Sequence, residues 1–306
     1  MDNELKALIA EAAIIHKKNF GRKINFCHTG DAFPAFSLTG SSCALSCKHC
    51  ERKLIERLPS ASTPISLKRT CLEANSRGAK GVLLTGGCTK DAKVPIQGFL
   101  SVIKEIKEET GMILIAHTGI SDEKEAREIK ESGIDGVCLD VVGSAETTEQ
   151  IYGISITPQM YKDTLIAYEK AGIKNISPHV CVGLNYGRLS HEVSALDIIS
   201  CIKPTNIVLT GLTDQQGTAM QGVKIDPGDF IRVLCLARKK FPDTYLSLGC
   251  ARGKGQIRSK IDRMAVSAGV NNIAVPTKAA YEEAKRMGLM INEYSACCSL
   301  LPEQLI

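Results

Sequence analysis

Short apolar runs and longer amphipathic segments alternate along the whole chain. The apolar runs that favour strands are Ala35–Thr39, Val82–Thr85, Met112–His117, Gly136–Val141, Asn175–Val182, Asn206–Gly211, Thr244–Leu248 and Asn272–Val275. The segments between them with a helical period include Leu100–Thr110, Asp122–Ser132, Pro158–Ala171, Glu192–Ile202, Pro227–Phe241 and Lys278–Gly288. Several of these segments end at glycine, as in KEETG and EKAGI, which is typical of a left-handed helix cap.

Strands that alternate with helices predict an α/β protein with a parallel sheet, most simply a TIM-type (β/α)8 barrel. An open doubly wound sheet is the alternative. We expect one domain over residues 1–306, with an N-terminal helical extension (1–34), the barrel (35–288) and a C-terminal tail (289–306) over the barrel mouth. In such barrels the chemistry lies at the carboxyl ends of the strands.

Composition narrows the class of protein. Hydrophobic residues make up 44% of the 306 residues, which is enough for a large core and excludes general disorder. No apolar run is long enough to span a bilayer, and the start, MDNELKALIAEAAIIHKKNF, is typical of an amphipathic helix rather than a signal peptide. A net charge of +5 without tryptophan or a concentrated basic tract argues against a nucleic-acid surface. We therefore expect a cytoplasmic protein with neither nucleic-acid nor membrane partners.

The chain has 13 cysteines, which in a reducing compartment indicate metal binding or redox chemistry rather than disulfides. Cys43, Cys47 and Cys50 form a CxxxCxxC motif directly after the first predicted strand. A structural zinc site usually takes four ligands, whereas thiolates are the usual ligands of iron–sulfur clusters. Three cysteines on a four-iron cluster leave one iron open to a small molecule.

This motif, placed after the first strand of a βα barrel, closely resembles that of the radical S-adenosylmethionine (SAM) superfamily. The resemblance implies the radical SAM fold and a [4Fe–4S] cluster on Cys43, Cys47 and Cys50, whose open iron binds SAM. In this family, reductive cleavage of SAM gives a 5′-deoxyadenosyl radical that abstracts hydrogen from an unactivated carbon. His49 departs from the family pattern, which commonly has an aromatic residue there near the adenine. We expect the imidazole to stack in the same way.

Other SAM contacts are predicted from the strand ends. Thr85, Gly86 and Gly87 match the family's Gly-Gly-Glu region, in which Cys88 replaces the glutamate. Asp140 is expected either to bond a ribose hydroxyl or to form a helix cap or salt bridge at the rim. The resemblance also makes Arg252 a candidate for neutralising the SAM carboxylate.

Further side chains are predicted to lie near the barrel mouth. His117 and His179 end two strands and are either functional or structural histidines. The basic stretch of Arg252, Lys254, Arg258 and Lys260 is either a contact for an acidic carrier protein or a solvated loop. Cys71, Cys201 and Cys235 lie in helical patterns and are expected to be structural.

A second group of cysteines predicts an auxiliary [4Fe–4S] cluster. Its expected ligands are Cys27, Cys250, Cys297 and Cys298, with Cys88 in reserve. Sulfur insertion requires that sulfur reach a carbon radical, and free sulfide traps such radicals poorly. An iron–sulfur cluster that is consumed in the reaction is an available source of that sulfur. The alternative is that Cys27 and Cys250 are small buried residues and the terminal pair is disordered.

The whole chain is similar to biotin synthase-like radical SAM proteins, through LSLGCARGKG, although the motifs of biotin synthase itself are not reproduced. A second likeness, through TGGCTKDAKVPI, GCARGKG and CCSL, is to the two-component lipoyl synthases first associated with archaea. It implies sulfur insertion into a protein-bound octanoyl chain. The implied partners are an octanoylated carrier protein or lipoyl domain, a second radical SAM protein, and a reductant such as ferredoxin or flavodoxin.

Two other functions stay open at this point. One is a different radical SAM enzyme, a mutase or a metallocofactor maturase, in which the auxiliary cluster relays electrons. The other is a non-catalytic metal or electron-transfer protein, which the barrel with its loop of cysteines disfavours.

Overall fold

A computed structural model describes residues 2–301 of the chain. Its strands are β1 (Lys23–Cys27), β2 (Ala35–Ser37), β3 (Gly81–Thr85), β4 (Ile113–His117), β5 (Gly136–Asp140), β6 (Asn175–Val182), β7 (Asn206–Gly211), β8 (Tyr245–Arg252), β9 (Asn272–Ala274) and β10 (Met290–Tyr294). Its α-helices are α1 (Asn3–Phe20), α2 (Pro64–Ser76), α3 (Leu100–Thr110), α4 (Glu123–Glu131), α5 (Ala145–Thr147), α6 (Pro158–Lys170), α7 (Glu192–Ile199), α8 (Pro227–Lys240), α9 (Gly255–Ser267) and α10 (Lys278–Arg286). Within residues 2–301, none of the helices combines the length and the hydropathy needed to cross a bilayer.

The strands form one parallel sheet in the order β10-β1-β9-β8-β7-β6-β5-β4-β3-β2, which curves into an open barrel with β2 and β10 at its edges. The predicted α/β barrel and all eight predicted strands are confirmed. Two strands are additional, because β1 lies in the segment assigned to the N-terminal extension and β10 lies in the segment assigned to the tail. β1 pairs with β9 and β10, so residues before position 35 belong to the sheet as well as to a helix.

Helix ends follow the capping chemistry that the sequence indicates. Asp122 accepts a hydrogen bond from the N–H of Glu125, whose side chain accepts one from the N–H of Asp122, so α4 begins with a capping box. Gly111 ends α3 with a φ of 64°, in the left-handed region, and its N–H donates to the carbonyl of Lys107. These signals set the lengths of the helices that surround the sheet.

The inner face of the barrel is unusually polar. A chain of hydrogen bonds crosses four strands, from Asn25 Nδ2 to Asn272 Oδ1 (2.7 Å), from Asn272 Nδ2 to Ser247 Oγ (2.9 Å), and from Ser247 Oγ to Asn206 Oδ1 (2.9 Å). All four side chains are almost fully buried. Buried polar groups need partners, and here they supply them to one another.

The C-terminal tail lies inside the barrel, against these polar side chains. The carbonyl of Cys298 accepts a hydrogen bond from Asn206 Nδ2 (2.8 Å), and the carbonyl of Ser299 accepts one from Ser177 Oγ (3.0 Å). Asn206 and Ser177 lie at the amino ends of β7 and β6. Polar residues near the amino ends of the strands thus hold Cys298 and Ser299 inside the barrel, whereas the tail was expected over the mouth. Residues 302–306 of the predicted tail lie outside the described residues.

Candidate active site

The loop that follows β2 carries the CxxxCxxC motif to the carboxyl end of the barrel. Cys43, Cys47 and Cys50 line one cavity of about 320 Å³, together with the end of β3. Burial and the neighbouring thiols of Cys50 and Cys43 raise the pKa of Cys47 to about 12. Metal binding to these thiols must therefore release protons, as expected for a cysteine site without its metal.

Backbone groups after β3 hold Cys43 in place. The N–H of Cys88 donates a hydrogen bond to Cys43 Sγ (3.3 Å), and the N–H of Ala44 donates to the carbonyl of Cys88 (2.8 Å). Gly87 N–H donates to Thr39 Oγ1 (2.7 Å). Cys88 thus lies against the loop of three cysteines, and its reserve role in the auxiliary cluster stays a prediction.

Gly87 is required by close packing. A Cβ atom on Gly87 would lie 2.1 Å from the carbonyl oxygen of Ser42 and 2.5 Å from the Cβ of Cys43. A Cβ atom on Gly86 would lie no closer than 3.1 Å to its neighbours, the side-chain atoms of Thr39, so it needs a shift of only a few tenths of an ångström. The two adjacent glycines therefore offer a matched pair of substitutions.

We expect Gly87→Ala to displace the cysteine loop and to lower the iron content after anaerobic reconstitution toward about half that of Gly86→Ala, the share of one cubane cluster of two. Iron content and thermal unfolding are measured for both variants. Equal iron content in the two variants would show that the close approach of Gly87 to Cys43 does not shape the cluster site.

His49 lies in the same cavity, as predicted. Its ring lies 5.6 Å from that of Tyr152, tilted by 47°. Burial lowers the pKa of His49 to about 4, against the opposing charge of Asp140, so the ring is neutral at pH 7. Its Nδ1 is buried without a protein partner. A buried polar atom of this kind indicates a hydrogen-bonding group that the protein itself does not supply.

Thr85, Gly86, Gly87 and Asp140 also line the cavity, so the structure brings them together with the three cysteines. Asp140 Oδ2 lies 3.7 Å from His117 Nδ1. Enclosure raises the pKa of Asp140, but the hydrogen bond and charge of His117, with the charges of His179 and His49, lower it to about 2. This contact matches the predicted rim salt bridge, while ribose binding by Asp140 stays a prediction.

Arg252 is placed away from the cavity, and its predicted contact with the SAM carboxylate is wrong. Its side chain is fully buried and pairs with Asp262, with Nε 2.6 Å from Oδ1 and Nη2 3.1 Å from Oδ2. The remaining N–H groups donate to the carbonyls of Gly249, Ala274 and Val275. A guanidinium has five N–H donors, and all five are used here.

Two other residues of the basic stretch, Arg258 and Lys254, also donate hydrogen bonds within the protein. Arg258 donates to the carbonyls of Cys250 (3.0 Å) and Val275 (2.8 Å), and Lys254 donates to that of Asp214. Arg258 therefore fixes the turn after β9 to the end of β8. A carrier-protein contact in this stretch would rest on Lys254 and Lys260.

The predicted auxiliary cysteines come together in and beside the tail. Cys27, Cys297 and Cys298 pack in one buried cluster on the inner face of the barrel, and Cys250, although exposed, interacts electrostatically with Cys297 and Cys298. A hydrogen bond from the thiol of Cys298 lowers the pKa of Cys297 to about 6 despite burial. Cys297 is therefore the interior thiol best prepared to act as a metal ligand.

From the sequence, no function is predicted for Cys138. None is predicted either for Ser177, Asn206 and Ser247, whose side chains donate hydrogen bonds to the backbone of the tail. Cys138 lies in the middle of β5, fully buried, and its Sγ is 3.5 Å from Ser299 Oγ. The sequence does contain one indication that the tail is held by hydrogen bonds. Ser177, Asn206 and Ser247 lie in mainly apolar strands, and buried polar residues need hydrogen-bond partners.

Comparisons with known proteins agree with this geometry. The sequence profile of the radical SAM superfamily matches residues 37–188. Biotin synthase from Rickettsia felis (strain ATCC VR-1525 / URRWXCal2) is 26% identical over 284 residues, which cover 87% of this chain and 85% of that protein. Biotin synthase from Marinobacter nauticus (strain ATCC 700491 / DSM 11845 / VT8) is 25% identical over 282 residues, which cover 87% of this chain and 74% of that protein.

Solved structures show the same fold at low sequence identity. Methylornithine synthase superposes with a TM-score of 0.67 at 16% identity, covering 95% of this chain and 90% of that one. The FeFe-hydrogenase maturase HydG from Carboxydothermus hydrogenoformans superposes with a TM-score of 0.69 at 14% identity, covering 95% of this chain and 73% of that one. With the three-cysteine loop at the mouth of this barrel, the chain belongs to the radical SAM superfamily and is similar over most of its length to biotin synthases.

Proposed function

We propose that this radical SAM enzyme inserts sulfur at an unactivated carbon of a protein-bound octanoyl chain, as a component of a lipoyl synthase. The observation that carries the proposal is a second set of thiols enclosed in the barrel interior, on and around the C-terminal tail. Sulfur insertion needs a sulfur source close to the carbon radical, and an iron–sulfur cluster held by thiolates is such a source.

The residues at the mouth fit a SAM-bound [4Fe–4S] cluster. Three thiols stand in one loop, and the buried Nδ1 of His49 lacks a protein partner. We propose that Cys43, Cys47 and Cys50 hold the cluster and that His49, Thr85 and the Gly86–Gly87 turn contact SAM. When bound, the cluster and SAM together supply hydrogen abstraction from carbon.

The auxiliary cluster is proposed on Cys27, Cys250, Cys297 and Cys298. Cys297 and Cys298 are at most 8% exposed, and the side chains of Asn206, Ser247 and Ser177 donate hydrogen bonds to the tail carbonyls of Cys298 and Ser299. The hydrogen bond from Cys298 lowers the pKa of Cys297 and so favours its thiolate form. Because these thiols lie below the cavity that contains the three-cysteine motif, a bound substrate would lie between the two sites.

An aliphatic substrate agrees with the walls of the cavity. The apolar side chains that line it are those of Leu45, Leu54, Ile55, Leu58, Ala92, Val94, Ile120, Leu139 and Ile156. Apolar walls bind a hydrocarbon chain and exclude water from the reacting carbon. We propose as partners an octanoylated carrier protein or lipoyl domain, a second radical SAM protein, and ferredoxin or flavodoxin as reductant.

The test uses reconstituted protein, SAM, dithionite and an octanoylated lipoyl-domain peptide. We expect 5′-deoxyadenosine and a peptide with added sulfur, detected by mass spectrometry. The double variant Cys297→Ser/Cys298→Ser is the matched control, and it should still cleave SAM but give no sulfur-containing peptide.

Iron counting separates sulfur insertion from electron relay. We expect about eight irons in the wild type and about four in the variant with Cys43, Cys47 and Cys50 all changed to alanine, at four per cubane cluster. After turnover, the auxiliary irons should be lost in step with sulfur transfer. SAM cleavage with two intact clusters and no sulfur in the product would overturn the proposal and favour a mutase or a metallocofactor maturase.

A further inference from the structure

Two imidazoles and a thiol that the proposed clusters do not use meet on the inner face of the barrel. The ligating atoms of His117, Cys138 and His179 all lie within 4.8 Å of one another. Within residues 2–301, no second trio of His, Cys, Asp or Glu brings its ligating atoms this close. The distance suits ligands that converge on a single ion.

The register of three parallel strands produces this arrangement. His117 at the end of β4 pairs directly with Cys138 in β5, so their side chains point to the same face of the sheet. His179 in β6 pairs with Asp140, two residues beyond Cys138 and therefore also on the inner face. The three ligands thus come from three adjacent rigid strands rather than from a loop.

The two imidazoles are oriented through their Nδ1 atoms. His179 Nδ1 lies 2.9 Å from the carbonyl oxygen of Ser177, and His117 Nδ1 lies 3.7 Å from Asp140 Oδ2. The rings are 5.1 Å apart in an edge-to-face arrangement. An acceptor at Nδ1 is the usual outer-shell arrangement of metal-binding histidines, and it directs Nε2 of the neutral imidazole toward an ion. Metal binding to His117, which pairs with Asp140, therefore requires loss of the Nε2 proton.

The site has one side open. Cys138 is about 1% exposed and His179 about 7%, whereas the His117 side chain is 23% exposed. His117 and Cys138 line the cavity that also contains Cys43 and Cys50. Zinc sites with three protein ligands and a fourth position open to substrate or water are catalytic sites, whereas structural sites are closed by four ligands.

We propose that His117, Cys138 and His179 bind one divalent transition ion of the zinc type, with its fourth position open to the active-site cavity. Two nitrogen ligands and one thiolate suit zinc and exclude magnesium or calcium, which take oxygen ligands. The open position of such an ion would take water or a donor atom of a molecule bound in the cavity. The site uses none of the residues proposed to hold the two clusters, although Cys138 packs in the same buried group as Cys27, Cys297 and Cys298.

The test is Co²⁺ titration of the full chain in the variant with Cys43, Cys47 and Cys50 changed to alanine, purified without iron. Co²⁺ reports tetrahedral sites by its visible bands and thiolate ligation by an ultraviolet charge-transfer band. We expect Co²⁺ at this site to contribute a single-thiolate charge-transfer band, displaced by Zn²⁺, in addition to any signal from cobalt on the remaining cysteines. Loss of the proposed octanoyl activity would not affect this result, because no SAM chemistry is measured.

Three further substitutions, each made in the variant that lacks Cys43, Cys47 and Cys50, test which residues bind the ion. Cys138→Ser should remove one thiolate's share of the charge-transfer band, and His179→Asn should weaken Co²⁺ binding at this site at least about tenfold. Cys235→Ser, a buried cysteine in α8, is the matched control and should change neither. Cobalt bound by other thiols is common to all variants and cancels in the comparison.

Thermal unfolding of each variant shows whether a loss of binding reflects a loss of folding, and His179→Gln serves as a second variant if His179→Asn unfolds. Spectra and affinities in folded Cys138→Ser and His179→Asn that match those of Cys235→Ser would overturn the proposal.

Discussion

Changing Cys43, Cys47 and Cys50 together to alanine is expected to reduce the formation of 5′-deoxyadenosine from SAM to the background level. All three thiols line the cavity of the active site, and Cys43 accepts a hydrogen bond from the backbone of Cys88. Three thiolates are the ligands that hold a cluster with one open iron, so their loss removes the electron donor to SAM. The measurement is chromatographic quantification of 5′-deoxyadenosine with dithionite as reductant.

Cys71→Ala is the control for this experiment. Cys71 is a buried thiol in α2, remote from the loop, and its replacement should leave SAM cleavage within about twofold of the wild type. Substantial 5′-deoxyadenosine from the triple variant would mean that the CxxxCxxC loop does not hold the catalytic cluster.

Changing Asp262 to asparagine is expected to lower the free energy of unfolding by about 3–5 kcal/mol, because it leaves the charge of Arg252 buried without its counter-ion. Both side chains are fully buried. Asp262 Oδ2 also accepts a hydrogen bond from the N–H of Thr277 (2.8 Å), so the carboxylate ties β8 to the start of α10. The measurement is urea unfolding monitored by circular dichroism.

Glu128→Gln is the matched control, since it removes an exposed ion pair with Lys124 at 3.8 Å on α4. Exposed pairs of this type contribute little, so the change should stay within about 0.5 kcal/mol. A loss below about 1 kcal/mol for Asp262→Asn would contradict the structural role given to Arg252.

Most of the fold could be predicted from the strands. Each predicted strand is covered by helices on one face and by the barrel interior on the other, so it appears in the sequence as a short, mainly apolar run. NIVLTG and GVLLT are examples, and the structure has them as β7 and β3. β1 and β10 were missed for different reasons. KINFC is a short piece between a helix and a loop, while MINEY is largely solvent-accessible and gains its strand structure by pairing with β1.

The candidate site was predictable only where its residues are adjacent in sequence. The three-cysteine loop could be recognised from its spacing and Gly86–Gly87 from the resemblance to the family, and both line the cavity. The position of the Arg252 side chain depends on its ion pair with Asp262, ten residues later in the chain. No pattern in the sequence indicates that pairing. The position of the tail depends on Ser177 and Asn206, whose hydrogen bonds with it span 122 and 92 residues.

The most direct test of the radical SAM assignment is electron paramagnetic resonance of the anaerobically reconstituted, reduced protein with and without SAM. Binding of SAM to the open iron should change the spectrum of the wild-type cluster, because it alters the ligands of that iron. The variant without Cys43, Cys47 and Cys50 should show no SAM-dependent change. A wild-type spectrum that is identical with and without SAM would contradict the account and favour a metal or electron-transfer protein.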